Sequence, residues 1–451
     1  MAVPRSKTVD ESVSGLYHCL SRCVRRGYLL APGPDGAVAD DRRRDWMVER
    51  LRLLTSAFAV DCVSLAVMSN HFHVLLRTLP EVVDHWSDAE VAYRWLLVRP
   101  PATVRKRLGI PADAPPQPEE VLRLLANPFE IARRRERLSS LSWFMKELKE
   151  PIARRANKED DVKGAFWESR FRCYRVLDEV GVQVCATYID LNPCKAGMAS
   201  DPMLASHTSI AEHARRLGKS LWREVAEAPD WRGRREPARS LEAFVATFDE
   251  AMFEPAMPAR REAYGTGDEV LREAVAAVHT DGDGGTRSVG HGLGDASTAA
   301  APERARNASV LEAARAAARL ATTPNHRSSQ PPPSRRRMPP PIAVLPMTLG
   351  SYLRWLRNVS AAMANTAHRT DRGRGAGASA WDVESALELL RERQTGRTAV
   401  DALAAVLREV RLHGTAIGSA ASLAAEAVRR RSTRALMALR NGTRVGTGTA
   451  S

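Results

Sequence analysis

"VDCVSLAVMSNHFHVLLR", Val60 to Arg77, decides the fold. Two apolar runs of strand length flank Ser69-Asn70, a turn dipeptide, so the stretch predicts a buried β-hairpin whose returning strand begins with His71 and His73. Side chains alternate along a strand, which puts these two histidines on one face about 7 Å apart, with Phe72 and Val74 facing the other way. Two imidazoles so placed can converge on one metal ion, provided a third ligand comes from elsewhere in the fold. They can equally be hydrogen-bonded histidines at a strand end. With 11 histidines in 451 residues, roughly 0.3 H-x-H pairs are expected by chance, so the motif needs company before it carries an argument.

Upstream, "LYHCLSRCV" (Leu16 to Val24) reads as a first strand. Met47, Leu51, Leu54 and Phe58 fall at i, i+4, i+7 and i+11, which predicts a helix over about Asp45 to Phe58. Downstream, prolines interrupt residues 80–137, read as an insertion of short helices. The set Leu141, Phe144, Met145, Leu148 and Ile152 again has helical spacing, with Pro151 expected to kink or end the helix. "EVGVQVCATYIDLN" (179–192) predicts a further helix, closed by Pro193 and Gly197. The class is α+β, with one domain over residues 13–215. A helical extension is expected over 216–279, including "SLEAFVATFDEAMF" (240–253), and a disordered linker over 280–341. A mostly helical region with a flexible tail is expected over 342–451, from "TLGSYLRWLRNVSAAMA", "WDVESALELLRER" and "AVDALAAVLREVRL".

The chain carries 67 Lys+Arg against 53 Asp+Glu, a net charge of +14. That balance points to a polyanionic partner, nucleic acid first. The six cysteines are scattered with no C-x-x-C pair, which argues against a zinc ribbon or a disulfide framework. "MAVPRSKTVDESVSG" has no apolar h-region, and no uncharged apolar run is long enough to span a bilayer. The expectation is a soluble, cytoplasmic, nucleoid-associated protein with no membrane partner.

Tyr188 and Asn192, at i and i+4, share one helix face about a turn apart. Pro193 disfavours helical geometry at Asn192 and so places the pair at the helix end. A phenol with pKa about 10 is a poor nucleophile until a metal or base helps remove its proton. The bland alternative is a core tyrosine and an asparagine that bonds the turn. In "GAFWESRFRCYRVLDE", Arg170, Arg172 and Arg175 alternate with Phe166, Trp167, Phe171 and Tyr174. Guanidinium groups hold phosphates and rings stack on bases, which suits single-stranded nucleic acid. Lys195 joins these arginines as a candidate DNA-binding residue. A basic helix face or strand with ordinary core aromatics has the same composition. His18, His85, His207 and His213 have no ligand spacing and read as structural.

Together, "YHCLSRCVRRG", "AVMSNHFHVLLR" and "GAFWESRFRCYRVLDE…TYIDLNPCKAGMA" resemble, in type, order and spacing, the HUH single-tyrosine transposases, in a longer form of the REP-associated branch. The resemblance covers about residues 13–212. It implies a ferredoxin-like antiparallel sheet with helices on one face (the HUH nuclease fold) and a metal-dependent nickase and strand transferase acting on single-stranded or hairpin DNA. By motif position it implies Tyr188 as nucleophile and His71, His73 and Asn192 as ligands of Mg²⁺ or Mn²⁺. It also implies a 5′-phosphotyrosine intermediate that needs no ATP, and a dimer, the usual state of family members. The segments 80–137 and beyond about 215 exceed the compact family pattern. The competing reading is a catalytically inactive, sequence-specific DNA-binding protein of transposon origin. A replication initiator or relaxase fits less well, because one tyrosine stands at the helix position and no helicase motif follows.

Overall fold

The hairpin forms as its residues dictate. Strand β2 (Val60–Val67) is buried along its whole length, and β3 (His71–Thr78) runs back antiparallel to it, with a bulge between Cys62 and Ser64. A strand buried at every position faces apolar material on both sides of its sheet. Strand β1 (Gly15–Arg22) pairs with the free side of β3, and β4 (Arg172–Val176) pairs with β1, all antiparallel. The computed structural model describes residues 8–31, 41–218, 245–262, 265–280, 344–370, 410–413, 416–419 and 421–429. Among these, β5 (Val410–His413) and β6 (Ala416–Ser419) complete a six-stranded sheet of order β2-β3-β1-β4-β6-β5. Because β6 runs parallel to β4, the sheet is mixed. The class is α+β.

Helices cover both faces, not the one expected. On the first lie α1 (Arg42–Ala57) and α7 (Leu141–Glu159), which with the insertion enclose Tyr17, Cys19, Leu65, Phe72 and Val74. On the second, α8 (Glu179–Lys195), α9 (Ser209–Arg216) and α11 (Leu349–Thr370) enclose Val63, Ala66, Leu75 and Val176. The insertion folds into α2 (Pro80–Val83), α3 (Asp88–Val98), α4 (Ala102–Leu108), α5 (Pro118–Leu125) and α6 (Pro128–Ser139), which join the first core. Helix α10 (Thr266–Thr280) packs on α3, where the N–H of Gly267 donates to Glu90 at 3.0 Å.

Neither proline stops its helix. Pro151 lies inside α7 and removes the N–H that would bond the Glu147 carbonyl. That carbonyl instead accepts from Arg50 Nε of α1 at 3.0 Å, so a tertiary donor replaces the lost one and the helix continues. Helix α8 runs past Pro193 to Lys195. It closes at Gly197 (φ 70°), whose N–H donates to Cys194 O while Met198 N–H donates to Pro193 O, the paired bonds of a left-handed helix cap.

The extension also departs from expectation. Residues 251–262 are not helical, since Pro255 and Pro258 interrupt any helix there. They run beside β2, where Met257 and Cys62 exchange two backbone hydrogen bonds of 3.0 and 2.9 Å. The end of "AVDALAAVLREVRL" is strand β5, not helix. Its remainder, residues 240–244, "WDVESALELLRER", the linker over 281–341 and the tail from 430 lie outside the described residues. No helix of the described residues is long and apolar enough to cross a membrane.

One carboxylate ties four elements together on the second face. Asp190 of α8 is fully buried and accepts from Ser209 Oγ of α9 (2.7 Å) and Tyr352 OH of α11 (2.7 Å), while Leu65 N–H of β2 donates to the same Ser209 Oγ (2.8 Å). Burial pushes the Asp190 carboxyl up to about 7 from 3.8, against the pull of the two hydroxyl donors. The folded state therefore holds an extra proton between those values, and stability falls as pH rises across that window, levelling off above it. The full effect is roughly 4 kcal/mol, at about 1.36 kcal/mol per pK unit. Asp190→Asn is expected to flatten this part of the pH profile, which urea unfolding at pH 5 and pH 8 checks; an unchanged slope would assign it to another group.

Candidate active site

Alternation along β3 sends Phe72 and Val74 into the first core and His71 and His73 to the second face. The register pairs Arg22 with His71 and Leu20 with His73, so His18, Leu20 and Arg22 of β1 share that face. On the far side of β1, Tyr174 stands opposite His18 and Arg172 opposite Leu20. Helix α8 lies over this surface. Its start is held close to β6: the Asp178 side chain accepts from Gly181 N–H (2.8 Å) and from Ser419 N–H (2.7 Å). A Cβ on Gly181 would stand 3.0 Å from Val176 Cγ1 and 3.2 Å from Ile417 O.

Four predicted site residues meet here. The His73 and Tyr188 ring centroids are 5.4 Å apart, edge to face, and those of His71 and His73 are 5.1 Å apart. Asn192, one turn beyond Tyr188, hydrogen-bonds His71. Tyr188 is half-buried, whereas His73 and Asn192 are buried.

Three imidazoles are held neutral. Burial, aided by the charges of Arg22 and Lys195, brings His71 down to about 4 even though the Asn192 hydrogen bond opposes it. His73 lies well below the ordinary range through burial and then its neighbours His71, His18 and Arg22, and burial alone brings His18 to about 4. Neutral imidazole is the form that ligates a metal. Asn70 sets the His71 tautomer. Its Nδ2 donates to Arg26 O (3.2 Å), which turns Oδ1 toward His71 Nδ1 at 2.6 Å. Nδ1 then carries the proton and leaves the lone pair on Nε2.

Among the described residues no cluster of three or more His, Cys, Asp or Glu has the geometry to hold a metal. What converges is two neutral imidazoles and a carboxamide. This mixed donor set fits a divalent ion that keeps water or phosphate oxygens in its remaining positions.

The basic candidates divide. Arg172 is exposed on the histidine face, Arg170 is exposed just ahead of β4, and Lys195 is exposed at the end of α8, near enough to act on His71. Arg175 is not brought to the site. It stands opposite Tyr17 on the other face, with Nη1 3.8 Å from Glu426. His18, Arg22 and Asn70 belong to the site although spacing gave no sign of the first two. Only the register of β1 against β3 reveals them. Asn70 stood in the turn signal itself.

No family model matches the chain, and no curated protein or solved structure matches it.

Proposed function

We propose that the chain is a metal-dependent single-stranded DNA nickase and strand transferase of the HUH single-tyrosine type, acting through a 5′-phosphotyrosine intermediate. The observation that carries this reading is the meeting of Tyr188, His71, His73 and Asn192 on one face of the sheet. The order β2-β3-β1-β4, antiparallel throughout and with α1 joining β1 to β2, supports a ferredoxin-like core of the HUH kind.

His71, His73 and Asn192 would hold Mg²⁺ or Mn²⁺, which when bound would polarise the scissile phosphate. Arg172 places positive charge where a DNA backbone would approach, and Lys195, whose ammonium desolvation brings down to about 7, would regain its full charge beside a phosphate. The half-buried Tyr188 phenol attacks phosphorus. The new Tyr188 O–P bond forms as the P–O3′ bond breaks, and the phenol proton is matched by one taken up at the leaving 3′ oxygen. The products are a 5′-phosphotyrosine and a free 3′-OH. Attack by another 3′-OH reverses the step and joins strands without ATP.

Incubation of the full chain with labelled single-stranded and hairpin DNA libraries plus Mn²⁺ should yield a covalent protein–DNA adduct stable to denaturant. Binding without any adduct would favour the inactive DNA-binding protein instead.

A further inference from the structure

Resting on the metal reading above, we infer that His18 is a positioning residue for His73: its Nε2 accepts the His73 Nδ1 proton and thereby points the lone pair of His73 Nε2 at the ion. The two nitrogens lie 3.0 Å apart, and the rings are stacked with centroids 5.2 Å apart and planes at 23°. One of these atoms must bring the proton and the other the lone pair.

The neighbouring pair sets the precedent. His71 already donates Nδ1–H to Asn70 and keeps its Nε2 lone pair. If His73 takes the matching tautomer, both imidazoles present the same atom to the same place. The opposite choice would put a proton on His73 Nε2 and exclude it as a ligand.

What His18 costs the fold argues in the same direction. It is fully buried, and its Nδ1 has no hydrogen-bond partner among the described residues. An unsatisfied buried polar atom is destabilising, a cost that an apolar side chain of similar size would not incur. A residue kept for packing alone would not be a histidine here. Its ring also stands edge-on to Tyr188 at 6.1 Å and 6.0 Å from Tyr174, so it is walled in at the centre of the site.

The test is ¹⁵N NMR of histidine-labelled full chain without metal, alongside Mn²⁺ titration followed by electron paramagnetic resonance. Wild type is expected to show His73 protonated at Nδ1. His18→Leu should keep or raise the unfolding midpoint while losing that tautomer and weakening Mn²⁺ binding by about 10–100-fold, the usual effect of removing a ligand's hydrogen-bond partner. His18→Gln, whose amide oxygen can take the place of Nε2, should restore both in part. Protonation of wild-type His73 at Nε2 overturns the inference without needing any variant to fold. So does unchanged Mn²⁺ affinity in His18→Leu. If wild type binds no Mn²⁺ yet His73 carries its proton at Nδ1, the metal reading fails and the orienting role of His18 stands.

Discussion

Tyr188→Phe should form no covalent adduct with any DNA that the wild type attacks, while binding that DNA about as tightly. Removing the one hydroxyl that attacks phosphorus removes the reaction path, and loss of a covalent nucleophile elsewhere costs on the order of 10⁶-fold. The phenyl ring keeps its edge-to-face contact with His73, whose centroid lies 5.4 Å away, so packing is preserved. Denaturing gels read the adduct and fluorescence anisotropy reads binding. An adduct that survives in Tyr188→Phe would move the nucleophile to another residue, and Tyr174, 6.0 Å from His18 by ring centroids, would be the next to replace.

His71→Ala and His73→Ala should each lower adduct formation by about 10³-fold or more and leave DNA affinity within about twofold. Groups that act as one unit are strongly non-additive, so the double variant should be little worse than the poorer single. Adduct formation by wild type should likewise cease with EDTA and return with Mn²⁺. Stability is the control. Burial holds both imidazoles neutral at a desolvation cost, so alanine relieves that cost while opening space, and unfolding midpoints will show whether the variants are folded. Equal loss of cleavage and binding in folded variants would make the pair structural.

Much of the region that carries the candidate site could be read from residue order because its elements are periodic. Val60 to Thr78 has two strand-length apolar runs and a turn between them, and the observed hairpin matches to within a residue or two. The helix carrying Tyr188 was legible for the same reason. Pro151, expected to kink or end its helix, lies within α7 because local propensity omits distant donors: Arg50 is about 100 positions away in the chain but supplies the missing bond, and Pro193, expected to close its helix, is followed by two more helical residues. His18 and Arg22 were missed because strand neighbours are set by register, which one strand alone does not encode. Arg175 was grouped with Arg172 because a basic, aromatic stretch leaves helix and strand open; in a strand, three positions apart means opposite faces. The strand at Val410–His413 ends a stretch with helical spacing, and its antiparallel partner β6 decides its state.

The outer margin of β2 is already spoken for by its own chain. Cys62 and Val63 bond residues 256 and 257, Leu65 N–H donates to Ser209 Oγ, and Val67 N–H donates to His207 O. At the opposite margin β6 lies along β4. A strand with unpaired amides is a template for another molecule; here β2 is covered along its outer margin, and β4 is paired with β6 at Arg175 and Val176. Among the described residues, a strand from a second copy would meet residues 256, 257, 207 and 209 of the same chain along β2 and would meet β6 at the end of β4, which disfavours edge-to-edge joining of two cores at those places.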